Sequence, residues 1–138
     1  MTMRVGKGPR ALMLALCLAG PASALALDET VTVPSGMPVA FHEMLWDDPG
    51  GGAIYRFRFL APEIGGAQPR PYEEVAADMD FLCQDIAAPE LAEATPAAAR
   101  IVISLMAEPV EFGDPSPSVR QYFEAYSLRD GLCIWEAF

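Results

Sequence analysis

The chain has 138 residues, enough for about one folded domain. Hydrophobic residues make up 52% and charged residues 20%, which is typical of a globular chain and excludes a disordered acidic tail. The formal net charge of -10 repels phosphate backbones and anionic lipids, so nucleic-acid binding by counterion release is excluded.

The first 26 residues have the pattern of a secretory signal peptide. A basic start and an apolar run precede a group of small residues: Arg4, Lys7 and Arg10, then residues 11–20, then residues 21–26. The apolar run is about half of the roughly 20 residues that a membrane-spanning helix needs. Cleavage after Ala24 or Ala26 fits the pattern, and we favour Ala26. We therefore predict a periplasmic or secreted protein with no membrane span after cleavage.

Cleavage would change the charge balance further. The mature chain would carry six Arg, no Lys and nineteen acidic residues, a net charge of -13. The whole chain also lacks Asn, and the loss of residues with A-rich codons is typical of a GC-rich bacterial genome. Without Lys, Schiff-base and P-loop chemistry are excluded from the mature chain.

Two cysteines, Cys83 and Cys133, would remain after cleavage. An exported chain with an even number of cysteines is expected to form disulfides, and here only one pairing exists. A redox-active pair usually has a C-x-x-C spacing, whereas these two lie fifty residues apart. We predict a structural disulfide.

The first half of the mature chain predicts a hairpin. Strand-like segments at residues 39–46 and 54–60 flank a stretch of Asp, Pro and Gly at 47–52, and a short candidate strand precedes them at 31–33. In the segment 54–60 aromatic residues alternate with arginines. We expect one row in the core and the other facing outward: Tyr55, Phe57 and Phe59 inside, Arg56 and Arg58 outside.

Residues 72–86 predict the one main helix. Apolar residues recur there at three- and four-residue spacings, and Cys83 lies on the apolar stripe. Glu73 and Glu74 fall in the first turn, where they suit the positive end of the helix dipole. Residues 87–99 predict at most one further helical turn.

Three more strands are predicted after the helix, at residues 101–106, 122–128 and 132–138. Asp130-Gly131 between the last two is a hairpin signal. A bond from Cys83 to Cys133 would place the helix on the face of the last strand that carries Trp135. We therefore predict an α+β fold: an antiparallel sheet of four to six strands in the order ββαβββ, with one main helix on one face, tied to the last strand by the disulfide. Residues 27–138 would form this single domain.

His42 is the only histidine, which excludes a histidine-cluster zinc site and leaves no obvious base for a nucleophilic serine. With strict alternation it shares a face with Met44 and Trp46, while Glu43 lies on the other. The two faces are about equally apolar, so the pattern leaves open which is buried. A single structural histidine is the favoured interpretation.

Acidic residues are plentiful, but nothing marks two of them as the acid and base of a glycosidase. Asp47 and Asp48 lack the alternating ligands and terminal Glu of a calcium loop. The glycines that follow precede neither a helix nor a Lys, so they do not form a phosphate loop. We predict no catalytic, metal-binding or cofactor-binding residue and no cofactor.

Arg56 and Arg58 are the candidate anion contact. Two guanidinium groups on one strand face are suited to bidentate contact with a carboxylate or a phosphorylated ligand. The favoured alternative in so acidic a chain is that they pair with the protein's own Asp and Glu.

The later strands are apolar on both faces, although the sequence predicts only one clear helix. The long loops at 87–99 and 108–120 would cover the second face in the slightly favoured interpretation. Otherwise an exposed apolar and aromatic surface would mark a partner or ligand site, with Tyr122, Tyr126, Ile134 and Phe138 as its candidate residues.

Three segments carry a family resemblance: YRFRFLAPEI at 55–64, IVISLMAEPVEFG at 101–113 and FEAYSLRDGLCIWEAF at 123–138. They resemble an uncharacterised family of small exported alphaproteobacterial proteins, a domain of unknown function. The resemblance implies one exported domain and transfers no catalytic residue.

These observations favour a non-enzymatic periplasmic module that binds an unknown protein or a small ligand. Export, the disulfide and the lack of a recognisable catalytic set support this hypothesis. The alternative is a small periplasmic hydrolase with a carboxylate-based site.

Overall fold

The computed structural model describes residues 2, 3, 6, 25–114 and 118–137. Phe138 and most of the predicted signal peptide lie outside these residues. Six strands form one sheet in chain order: β1 Thr30–Thr32, β2 Pro38–Asp47, β3 Ala53–Leu60, β4 Ala98–Met106, β5 Gln121–Arg129 and β6 Leu132–Glu136.

The predicted α+β fold with one main helix is confirmed in outline, with two corrections. The short β1 pairs with β2, so the order is βββαβββ. The sheet is also not wholly antiparallel, because β3 and β4 run parallel while every other neighbouring pair is antiparallel. The reason is the helix between these two strands. It carries the chain back to the end of the sheet where β3 began, so β4 starts there and runs in the same direction as β3.

The main helix begins as α1, Tyr72–Phe81, and continues without a break. Residues Leu82–Ala87 are wound as a π-helix, in which the N–H of Ala88 donates to the carbonyl of Cys83, and Ala88–Glu90 form the last turn. Cys83 is bonded to Cys133 of β6, with a Cα–Cα distance of 6.3 Å. The predicted disulfide is therefore confirmed, and it ties the helix to the last strand.

The sheet has two different faces. The helix face carries the aromatic row of β3, and its neighbours in register on β4 and β5 point the same way. Together with the apolar stripe of the helix they form the core, which includes Tyr55, Phe57, Phe59, Ile101, Ile103, Leu105, Val75, Met79 and Leu82. The predicted core face of β3 is confirmed. We call the opposite side, which carries Arg56 and Arg58, the arginine face.

A β-bulge in β2 changes which residues lie on each face. Phe41 pairs with Phe59, but the next pair is Glu43 with Arg58, so His42 is the extra residue. The strict alternation expected for this strand is therefore wrong. Beyond His42, Glu43 lies on the arginine face, and Met44 lies on the helix face opposite Phe57.

Candidate functional site

The bulge at His42 creates the first element of the candidate site, because it sets Glu43 directly opposite Arg58. If the strand kept regular alternation through His42, Glu43 would share the helix face with Phe41, and Arg58 would lose this partner. The two side chains form an ion pair on the arginine face. Two residues before Arg58, Arg56 forms an ion pair with Asp47, which lies diagonally across from it because Leu45 is the residue directly opposite. The interpretation that the arginines pair with the protein's own acids is thus supported.

The expectation that Arg58 faces solvent is wrong. Its side chain does point away from the aromatic core, but only 4% of the residue is exposed, because the loop after β4 lies over it. Besides Glu43, Arg58 donates to the backbone carbonyl of Val110, and its Nη2 lies 3.0 Å from the sulfur of Met106. The guanidinium therefore attaches residues 107–114 to the sheet.

Phe112 extends this attachment. Its ring lies 5.6 Å from the Cζ of Arg56 and 5.7 Å from that of Arg58, which is within cation–π range for both. The ring is nevertheless 55% exposed, so one part of it contacts the arginines and the rest faces solvent.

The predicted loop cover of the second face is supported over residues 108–114. It is wrong for residues 87–99, which pack on the helix face, where Leu91 joins the core and the Pro96 carbonyl accepts from the Tyr55 hydroxyl. Among the described residues of the arginine face, Phe123 and Ile134 remain exposed.

The loop and the open part of the sheet together form a concave site of about 310 Å³, which we call the cup. The apolar walls come from β4, β5 and the loop, with Val102, Phe123 and Phe112. On the sheet side the polar groups are those of Arg56, Arg58, Ser104 and Gln121. A site of this size is at the small end of the range for small-molecule pockets. Phe123 is 53% exposed and stands at the open side.

Ser104 contributes the most unusual group of the cup. The residue is only 2% exposed, and its Oγ has no hydrogen-bond partner among the described residues. A buried hydroxyl without a partner costs about 1–3 kcal/mol, so most native structures avoid it. Ser104 lies opposite Arg58 in the β3–β4 register and opposite Phe123 in the β4–β5 register. Its hydroxyl is therefore placed between the arginines and the aromatic wall.

Acidic side chains also line the cup, from the loop side. Glu111 and Asp114 belong to the same turn, in which the N–H of Asp114 donates to the carbonyl of Glu111 at 3.2 Å. The charges are therefore separated: the two guanidinium groups lie on the sheet and the two carboxylates on the loop.

The candidate surface of Tyr122, Tyr126, Ile134 and Phe138 is not a single surface in the described part of the chain. Tyr122 and Tyr126 lie on the helix face, where Tyr126 is 2% exposed, whereas Ile134 lies on the arginine face. The physical reason is the register, which pairs Tyr126 with Trp135 and therefore turns Ile134 to the other side. Phe138 lies outside the described residues.

Two tyrosines between the helix and the sheet, half-buried Tyr72 of α1 and buried Tyr126 of β5, belong to a polar network instead. Glu124 accepts hydrogen bonds from the Tyr72 hydroxyl and from the indole N–H of Trp135. The hydrogen bond to Glu124 and burial raise the pKa of Tyr72 to about 12. Tyr126 donates to Asp80 at 2.6 Å, and burial followed by this hydrogen bond raises the pKa of Tyr126 further. The network joins β5 and β6 to the helix.

His42 lies next to the cup and outside it. It lines a shallow groove with Glu43 and Leu45, beneath Val110 and Phe112. Within residues 25–114 and 118–137, no group of three or more His, Cys, Asp and Glu side chains has the arrangement of a metal site. In the same part of the chain no helix is both long and apolar enough to cross a membrane.

Sequence reasoning identified the arginines and missed the rest of the cup. Ser104 is the one hydroxyl in the apolar run of β4, and that was the available signal. The sequence carried no signal that Phe112 and Phe123 line a common site, because the site forms only when the loop folds back over the sheet.

Comparisons with known proteins give one match. A family model described as a family of unknown function, DUF6497, matches residues 14–138. No curated protein matches the chain, and no solved structure does.

Proposed function

The chain belongs to the DUF6497 family, whose function is unknown, and we propose that it is an exported, non-enzymatic binding module whose site is the cup on the arginine face. Its ligand is a small molecule with an apolar body. The observation that carries this proposal is the cup itself, a mostly apolar concavity whose floor holds the buried Ser104 hydroxyl, without a hydrogen-bond partner in the described part of the chain.

The construction of the cup supports a binding role because its parts are held in place before any ligand arrives. Arg58 connects β3 to Glu43 of β2 and to the carbonyl of Val110 in the loop. Phe112 is positioned by both guanidinium groups. A site that is already ordered loses little conformational entropy when a ligand binds, so even a small contact area gives useful affinity.

The arrangement of the acids favours binding over hydrolysis. A carboxylate-based hydrolase of the glycosidase type needs two carboxyl groups on opposite sides of the scissile bond. Both carboxylates that line the cup, Glu111 and Asp114, come from one turn of one wall. The small hydrolase therefore remains the weaker hypothesis.

Export is part of the proposal and rests on two features. The first is the basic and apolar pattern of residues 1–26. The second is the Cys83–Cys133 disulfide, because such bonds persist mainly in oxidising compartments. Cell fractionation followed by intact mass measurement tests it: we expect a periplasmic or secreted chain that starts at Leu27 and has no free thiol. A cytoplasmic chain with an uncleaved start would contradict export.

Binding to the cup is tested with 3-phenylpropan-1-ol, a neutral probe with an aromatic body, titrated into ¹⁵N-labelled protein. We expect amide shifts centred on Ser104, Phe112 and Phe123. Phe123→Ala should weaken this binding several-fold, since it removes an apolar wall. Leu132→Ala is the matched control, because Leu132 is similarly exposed but lies at the β5–β6 turn. Saturable shifts elsewhere, or none at all, would refute the cup as the binding site.

A further inference from the structure

We infer that the ligand of the cup carries one carboxylate, held by Arg56 and Ser104, next to an aromatic or branched apolar body. This inference rests on the proposed function and adds the chemical class of the ligand. The pose follows from the positions of the polar groups, since the cup has its cations and its hydroxyl on the sheet side and its aromatic rings above and beside them.

Ser104 supplies the first contact. Its hydroxyl is a donor that lacks an acceptor among the described residues, although 98% of the residue is removed from solvent. The neighbouring arginines are donors only, so they cannot satisfy its hydrogen. A carboxylate oxygen accepts from a hydroxyl and from a guanidinium at the same time, which satisfies both kinds of donor with one group.

Arg56 supplies the second contact to the ligand, whereas Arg58 holds the site together through contacts within the protein. Arg58 is engaged by Glu43, the Val110 carbonyl and Met106, and its side chain is only 5% exposed. The side chain of Arg56 is 25% exposed and pairs with Asp47, whose side chain is itself 56% exposed. A guanidinium carries five N–H donors, more than one carboxylate engages, so Arg56 retains donors for a ligand.

The acids of the loop limit the charge of the ligand. The carboxylates of Glu111 and Asp114 belong to the loop wall of the cup, and the chain as a whole is strongly acidic. A phosphate dianion or a dicarboxylate would place a second negative charge against this wall, which disfavours it. The site therefore selects a monocarboxylate. Arg56 and Ser104 attract one negative charge, while the acidic surroundings repel a ligand that carries more than one.

The experiment compares three probes with the same carbon skeleton: 3-phenylpropionate, neutral 3-phenylpropan-1-ol and cationic 3-phenylpropylamine. Dissociation constants come from amide-shift titrations at pH 7.5. We expect the carboxylate to bind about tenfold more tightly than the alcohol, as for a charge-assisted contact, and the amine to bind more weakly than both.

Two variants locate the contact. Arg56→Gln should remove the preference for 3-phenylpropionate over the alcohol, although both probes should bind more weakly because Phe112 loses one of its two cation–π contacts. Ser104→Ala should weaken carboxylate binding several-fold without unfolding the protein, because it removes a buried polar atom that has no partner to lose. Arg100→Gln is the matched control, since Arg100 pairs with Glu136 on the same face outside the cup, and it should change nothing.

The outcomes separate the two proposals. Equal binding of carboxylate and alcohol, or tightest binding of the amine, overturns the carboxylate inference and leaves the cup as a binding site. An unchanged preference in Arg56→Gln also overturns it. Failure of all three probes to bind overturns the proposed function together with this inference.

Discussion

The side chain of Gln84 binds the outer edge of β6 beside the disulfide: its Oε1 accepts from the N–H of Cys133 at 2.9 Å. Its Nε2 donates to the carbonyl of Gly131, also at 2.9 Å. The amide of Gln84 therefore pairs with the backbone as a neighbouring strand would. Because β6 is the last strand of the sheet, this contact blocks part of an edge that would otherwise offer free backbone groups to another chain.

We expect Gln84→Ala to lower the free energy of unfolding by about 1 kcal/mol, since two partly solvated hydrogen bonds are lost. The variant should also self-associate more readily, because the β6 edge is uncovered. Urea denaturation and sedimentation velocity measure the two effects. Gln68→Ala, at an exposed loop position, is the control and should match the parent protein. A fully stable, monomeric Gln84→Ala variant would refute the role of Gln84.

Gly52 closes the loop between β2 and β3 with φ of +105°, and a Cβ there would lie 2.6 Å from the Cβ of Ala99. We expect Gly52→Ala to cost about 1–3 kcal/mol, because the backbone is strained and the start of β4 must move. Gly51→Ala is the matched control, since a Cβ at Gly51 meets nothing within 4 Å. Thermal unfolding of both variants measures the difference, and equal melting temperatures would contradict this account.

The two ion pairs of the arginine face should contribute different amounts to the free energy of unfolding. Glu43→Gln leaves the guanidinium of buried Arg58 without its carboxylate, and we expect a loss of about 2 kcal/mol, reduced from the fully buried case because Glu43 is partly exposed. Asp47→Asn breaks the exposed pair with Arg56 and should cost less than about 1 kcal/mol. Denaturant titration of both variants tests this order, and the reverse order would show that the loop does not bury Arg58.

Stability at high pH should depend on Tyr72. Its pKa in the folded protein is raised to about 12, chiefly by its hydrogen bond to Glu124, from an ordinary value of 10.0. The protonated phenol is therefore favoured by folding, so its contribution is complete below pH 10 and is lost as the pH rises from 10 to 12. We expect Tyr72→Phe to show a shallower loss of stability over this interval. Ultraviolet titration of tyrosinate should also lose one group near pH 12, and an unchanged titration would contradict the assignment.

Much of the fold could be predicted from local pattern. The alternation of aromatic residues and arginines in β3 identified the core face, because side chains of a strand alternate strictly where no bulge intervenes. The spacing of apolar residues predicted the helix, and the cysteine count left one disulfide pairing after signal cleavage. The parallel pairing of β3 with β4 was missed, since the strand-like patterns carried no sign of direction.

The candidate site was predictable only in part. Arg56 and Arg58 were identified from the sequence, but the partner of Arg58 depends on the bulge at His42, and His42 shows no pattern that predicts a bulge. The tyrosines of the predicted surface were misplaced because their identity as aromatic residues says nothing about which face the β5–β6 register gives them.

The sequence by itself determined the strand and helix segments, the one available disulfide and the acidic character of the chain, because these depend on composition and short-range periodicity. Only the tertiary structure decided that residues 107–114 fold over the arginine face and that Glu43 meets Arg58. It also decided that the Ser104 hydroxyl is enclosed with no partner among residues 25–114 and 118–137. Those features arise from contacts between residues far apart in the chain, and their geometry is set by register, a bulge and loop packing.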